Sequence, residues 1–225
     1  IGARSKSISD EVMRLMDLQK EPFICYSGIP DKYFDKDNSI SFSRKDIDSY
    51  MFAGRLIKRK NVHSSMIALK SLYENEEFIF NIVGDGAEKD KLDQLSKELN
   101  ISKSVSFLGY KKRDEVLEIM RKTEVFIMIS DDETFGLVYI EAMSQGCIVI
   151  ASKNGGMEDI IIDGYNGFLC NQGDEENLLK ICQKIKNMTI HEKEIISKNA
   201  INTSKDFSDS NIARNYLNIV VNEGR

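Results

Sequence analysis

Between residues 50 and 170, short apolar runs alternate with longer amphipathic ones, and few folds accommodate that rhythm. The apolar runs fall at 50–53, 78–83, 105–108, 125–129, 148–151 and 167–170. Helical spacing is read over 61–73, 87–100, 112–123, 137–145 and 157–163, and again over 175–187, 191–203 and 210–221. Strands this short and this uniformly apolar are buried on both faces, the pattern of a parallel sheet covered by helices. Right-handed crossovers then make residues 50–225 an α/β, Rossmann-like, doubly wound domain. Ahead of it, residues 1–34 hold helical spacing at 10–20 and a candidate strand at 23–26, ended by Ser27-Gly28-Ile29-Pro30. Residues 35–49 are polar and charged and read as a linker. One helix and one strand cannot bury a core alone. The front piece is therefore expected to pack on the larger domain or to belong to something larger still.

Composition removes several function classes. The 225 residues are 41% hydrophobic and 30% charged, the balance of an ordinary globular chain. No apolar run nears the roughly 20 residues of a membrane helix, and the opening residues lack the apolar stretch of a secretory signal. Lys and Arg number 31 against 36 Asp and Glu, a net charge of −5 that argues against general nucleic-acid binding. A small anionic ligand stays open, because a few local cations outweigh distant net charge. Cys25, Cys147, Cys170 and Cys182 form no CxxC pair; they read as reduced, mostly buried thiols, and a cytoplasmic setting is expected. His63 and His191 lie far apart in helical contexts, so no His-based metal site is expected.

In a doubly wound sheet, ligands bind beyond the carboxyl ends of the strands. The first run leads into Gly54-Arg55-Leu56-Ile57-Lys58-Arg59-Lys60-Asn61, with four cations in six residues. Such a loop either grips phosphate oxygens or is merely solvated. The second leads into Gly84-Asp85-Gly86-Ala87-Glu88-Lys89, which has Lys89 where a dinucleotide GxGxxG needs its third glycine. It also sits in the second unit, so a nicotinamide cofactor is not expected; a tight turn that brings backbone near a ligand is. The third leads into Gly109-Tyr110-Lys111-Lys112, a wall for a stacked base or a plain turn. The fourth leads into Ser130-Asp131-Asp132-Glu133-Thr134-Phe135-Gly136-Leu137. Amides of Phe135, Gly136 and Leu137 at a helix N-terminus suit an anion. Glu133 and Glu141 can reach the same edge, where an ionised carboxylate accepts from sugar or ribose hydroxyls. The rival reading of Asp131-Asp132-Glu133 is an acidic loop holding Mg²⁺ or Mn²⁺ beside a diphosphate. Gly155-Gly156 after the fifth run again offers bare amides or a simple turn.

These segments converge on one pattern. FAGRLIKRKN, IVGDGAEKDKL, VSFLGY, VFIMISDDETFGLVYIEAMSQGCIVIAS and KNGGMEDIIIDGYNGFL resemble, in order, the C-terminal nucleotide-sugar-binding half of GT-B glycosyltransferases, in particular the retaining family 4. Glu133 and Glu141 have the seven intervening residues of that family's paired-glutamate motif. The resemblance implies transfer of a sugar from a nucleoside-diphosphate sugar with retention and without a metal, the acceptor being a cell-surface polysaccharide or glycolipid. It implies that Arg55 and Lys60 bind the donor diphosphate and support the leaving group. Glu133 would contact the donor sugar and Glu141 the ribose, while the amides of Phe135, Gly136 and Leu137 meet sugar and phosphate. Gly54, Gly84 and Gly86 would line the donor cleft, with Tyr110 and Lys111 near the base. Asn61 stands where many members have glycine, a change expected to matter little. Residues 1–34 look like the last helix and strand of an N-terminal acceptor domain. The chain is then expected to bind donor but to turn over slowly or not at all, and to make no membrane contact itself. The longer protein would be cytoplasmic, peripheral at the inner membrane face. Two alternatives are a non-catalytic nucleotide-sugar-binding module that works with a separate acceptor-binding chain, and a nucleotide-sugar epimerase relative. The last helix would cross back to the acceptor domain and expose apolar residues such as Leu217 and Val221.

Overall fold

The computed structural model describes residues 2–34, 42, 48–74 and 76–223. Most of the expected linker, at 35–41 and 43–47, lies outside the described residues, and its last residue, Ser49, is already part of a strand. The chain opens with β1 (Gly2–Ala3), α1 (Lys6–Met16) and β2 (Phe23–Ile24), and β1 and β2 pair in parallel as a small sheet of their own. Helix α1 starts earlier than its apolar spacing suggests because Ser5 caps it, accepting from Ile8 N at 3.3 Å.

The main sheet holds β3 (Ser49–Ala53), β4 (Ile79–Val83), β5 (Val105–Gly109), β6 (Val125–Met128), β7 (Ile148–Ser152) and β8 (Phe168–Cys170). All neighbours are parallel, in the order β5-β4-β3-β6-β7-β8. Every residue of β3, β6 and β7 is buried, so these central strands need apolar side chains on both faces. Helices α2 (Val62–Tyr73), α3 (Lys89–Glu98) and α6 (Glu175–Lys186) pack together on one face. On the other lie α4 (Arg113–Met120), α5 (Leu137–Ser144) and α7 (Ile190–Lys205). The last helix is α8 (Asp209–Glu223). The chain builds outward from β3 to β5, then returns to β6 and builds the other way. Helices after β3 and β6 therefore leave on opposite faces and open a crevice between them at the carboxyl edge.

The doubly wound parallel sheet is thus as expected. The helix expected at 157–163 is absent; the segment is a run of turns. Asn166 is the reason. Its side chain accepts from Ile162 N at 2.8 Å and donates to Ile160 O at 3.0 Å, so local side-chain bonds replace a helical ladder. Asp163 Oδ1 likewise accepts from Leu169 N at 2.9 Å and pins the turn to β8.

Part of the front piece does pack on the larger domain. Ile29 is fully buried, its amide donating to Phe207 O at 2.8 Å and its carbonyl accepting from Asp209 N at 2.9 Å. Tyr26 stacks on Phe135 with ring centres 5.4 Å apart and meets Phe207 edge-on at 5.2 Å. Leu217 and Val221 on α8 are exposed, together with Leu15 and Met16 on α1. Cys147, Cys170 and Cys182 are buried free thiols and Cys25 is half-buried; burial pushes the Cys170 thiol up to about 12. Among the described residues, no helix is long and apolar enough to cross a membrane.

The loops at the carboxyl edge touch backbone to backbone. Gly54 N donates to Val83 O at 2.9 Å, Leu56 N to Asp85 O at 2.8 Å and Gly84 N to Gly109 O at 2.8 Å. A Cβ on Gly84, at φ +130°, would stand 1.9 Å from Gly54 O. Gly84→Ala is expected to cost roughly 2–4 kcal/mol, from overpacking plus backbone strain. A Cβ on Gly109, at φ +67°, would meet nothing within 4 Å. Gly109→Ala should cost only the left-handed penalty of about 1–2 kcal/mol. Thermal unfolding of the two variants checks this order.

Candidate donor cleft

The crevice between β3 and β6 is an open cleft of about 620 Å³. Ala53, Val83 and Met128, at the ends of three neighbouring strands, give it an apolar floor. Charged groups converge above that floor: Arg55, Lys60, Lys111 and Arg113 against Asp85, Glu133 and Glu141. One excess cation in a chain of net charge −5 marks this edge as a place for an anion.

The basic run after β3 divides its labour. Arg55 is exposed at the cleft wall. Lys58–Lys60 form a 3-10 turn, which turns Arg59 away. Arg59 Nη1 donates to Asp131 O at 3.3 Å and Asp132 O at 3.2 Å, and its carbonyl accepts from Asp131 N at 2.8 Å. Lys60 turns inward, pairs with Glu133 and lies 3.7 Å from Met128 Sδ. Both members of that pair are nearly buried, at 11% and 12% side-chain exposure, so the pair is screened little by solvent.

Asn61 ends the basic turn at φ +50°, a left-handed conformation that asparagine and glycine tolerate. Its side chain adds bonds that glycine in the same conformation could not make. Asn61 Nδ2 donates to Ile129 O at 3.0 Å and to Asp131 Oδ1 at 2.9 Å, tying the loop after β3 to the loop after β6. Asp131 and Glu133 thus meet different partners, Asn61 and Lys60. Among the described residues, no three His, Cys, Asp or Glu side chains gather as a metal site.

Helix α5 begins at Gly136, φ +75°, where a Cβ would come 2.6 Å from the Tyr139 ring. No side chain caps this end; Tyr139 N donates to Gly136 O at 2.9 Å, and the amides before it have no helical partner. Tyr139 is buried beneath, donating to Met128 O at 2.6 Å. Burial pushes its hydroxyl pKa up, and the nearby Glu133 charge adds to that. Glu141 lies one turn further on, only 7% exposed and ion-paired with Arg113.

Of the residues singled out in the sequence, Gly54, Arg55, Lys60, Gly84, Tyr110, Lys111, Glu133, Gly136, Leu137 and Glu141 line the cleft. Two residues do not. Gly86 serves loop packing: a Cβ there would sit 2.3 Å from Leu56 O. The Phe135 side chain is in the core against Tyr26; the group expected to meet a ligand there is its amide, not its ring. Arg113 was missed, although it directly continues the Lys111-Lys112 run; its relation to Glu141 depends on α4 and α5 lying side by side.

The profile of the family described as glycosyl transferases group 1 matches residues 34–203. The chain belongs to this family, and its sheet is that of the GT-B glycosyltransferases. An uncharacterised glycosyltransferase of Methanocaldococcus jannaschii is 30% identical over 193 residues, 85% of this chain and 51% of that protein. N-acetyl-alpha-D-glucosaminyl L-malate synthase of Bacillus anthracis is 30% identical over 200 residues, again 85% and 51%. The chain thus spans about half the length of these relatives. Anabaena HepE, crystallised in complex with UDP and glucose, superposes with a TM-score of 0.84 at 23% identity, covering 98% of this chain and 62% of that one. The C-terminal domain of a group 1 glycosyl transferase from Francisella tularensis superposes with a TM-score of 0.69 at 21% identity, covering 81% of this chain and 100% of that one.

Asn61→Ala should lose two hydrogen bonds while keeping a left-handed backbone, a cost of about 2–3 kcal/mol. Asn61→Gly relieves the backbone and should cost about 1 kcal/mol less. Urea unfolding of both variants measures the difference.

Proposed function

We propose that this chain is the donor-binding part of a retaining glycosyltransferase. It takes a nucleoside-diphosphate sugar and passes the sugar to an acceptor, a cell-surface polysaccharide or glycolipid, held by an N-terminal domain of which residues 1–34 are the last portion. The carrying observation is the convergence of Arg55, Lys60, Glu133, Glu141 and the uncapped start of α5 on one cleft at the switch point of the sheet. HepE, whose crystal structure contains UDP and glucose, supports the same reading for this fold.

Each group has a chemical part in that reading. Arg55 and Lys60 clamp the diphosphate and stabilise the charge that grows on it as the glycosidic bond breaks. The amides of Gly136 and Leu137 add the positive end of α5 to the phosphate and sugar. Glu133 accepts from donor-sugar hydroxyls, and its pairing with Lys60 lets a single ligand engage both. Glu141 accepts from the ribose, and the exposed Tyr110 offers its ring to the base. Arg55 and Lys60 supply the positive charge of the clamp, so no metal is required for it.

Thermal-shift measurements with UDP, GDP, ADP and their common sugars, each with EDTA and with Mg²⁺, test this. One nucleotide at 100-fold its dissociation constant should stabilise by ~2.7 kcal/mol, roughly 5–10 °C, equally in EDTA. No shift with any nucleotide would overturn the donor reading, and a shift that needs Mg²⁺ would overturn the metal-free clamp. Replacing Arg55 and Lys60 together by Ala should weaken nucleoside diphosphate binding far more than nucleoside binding in calorimetry. Robust sugar transfer by the 225-residue chain alone would contradict the separate acceptor domain.

A further inference from the structure

Arg113 is the cleft cation to which the donor reading assigns no part. It opens α4, and its side chain is 51% exposed. Its guanidinium pairs with Glu141 Oε1, and it also lies 6.0 Å from the centre of the Tyr33 ring, within cation–π range. Tyr33 is itself buried, in the 3-10 turn Asp31–Phe34. Lys32 in that turn approaches Asp114, the residue after Arg113, at 3.8 Å. Arg113 is therefore placed from two sides, by Glu141 and by a segment outside the main sheet.

Glu141 needs this neighbour. Its side chain is 9% exposed, and its buried Oε1 accepts no hydrogen bond among the described residues. A buried carboxylate without hydrogen bonds or a counter-charge is costly, and a carboxylic acid accepts fewer hydrogen bonds than a carboxylate. The guanidinium is the group that answers Oε1. The pairing occupies one carboxylate oxygen, Oε1.

We infer that Arg113 is a positioning residue for the ribose end of the cleft: by engaging Glu141 Oε1 it aims Oε2 at the ribose hydroxyls and makes the site discriminate ribose from deoxyribose. The inference rests on the donor reading above and adds to it a residue outside the paired-glutamate segment. Lysine could supply the same charge, and glutamine could not.

Calorimetry of the unmodified chain, Arg113→Gln and Arg113→Lys with UDP, GDP and ADP and with their 2′-deoxy counterparts tests it. The unmodified chain should prefer its best ribonucleotide over the deoxy form by about tenfold or more, the value of a hydrogen bond to a charged acceptor. Arg113→Gln should shrink that ratio below about threefold, and Arg113→Lys should keep most of it. A half-exposed side chain at a helix start is replaceable without unfolding, which thermal midpoints check. An unchanged ratio in Arg113→Gln would overturn the inference and leave the donor reading standing. If the unmodified chain binds none of the six nucleotides, the donor reading falls and the inference with it. Binding without ribose preference would remove the ribose role of Glu141 and, equally, that of Arg113.

Discussion

Everything at the functional edge depends on where the parallel sheet changes direction. Strands β3 and β6 are neighbours in space but lie more than 70 residues apart in sequence, with Tyr50 facing Val125 in register. Helices leaving those two strands go to opposite faces, so no helix can cover the gap between them. The cleft is a consequence of topology, and the side chains around it only decide what it holds.

Holding that gap open places strict demands on the loops. The loops after β3, β4 and β5 bond to one another through backbone groups, with Gly84 and Gly86 each standing where a Cβ would strike a carbonyl of the first loop. The loop after β6 is fastened to the first from the other side, by Arg59 on Asp131 and Asp132 and by Asn61 on Ile129 and Asp131. Gly156 then brings the loop after β7 close, its amide donating to Glu133 O at 2.9 Å. Residues that look like ligand-binding groups in the sequence, Arg59 and Gly86 among them, thus serve to hold the ones that face the cleft.

The electrostatics follow from this scaffold. Lys60 pairs with Glu133 and Arg113 with Glu141, while Arg55 stands exposed at the cleft wall. Pairing across the cleft keeps nearly buried carboxylates tolerable while leaving them acceptors for hydroxyls. An anionic ligand bearing hydroxyl groups meets both kinds of partner within one cavity.

Much of this was legible in one dimension. Period and apolar content specify six parallel strands, and the central ones, β3, β6 and β7, are buried along their whole length, since a strand covered on both faces has no polar alternative. The order of glycines, cations and Glu133 and Glu141 after those strands names most of the cleft lining, since loops at one edge of a doubly wound sheet must converge. What one dimension could not carry was partnership between elements. The apolar spacing at 157–163 looks helical until Asn166 claims its backbone groups. Phe135 offers a loop amide in the sequence, but only the fold shows its ring stacked on Tyr26, more than 100 residues earlier. Arg113 looks like one more solvated cation until α4 lies beside α5 and sets it on Glu141. Local chemistry and periodicity determined the sheet and the kinds of groups at its edge. Packing of distant segments decided which of those groups face a ligand and which face one another, because that choice depends on distances no single stretch of chain contains.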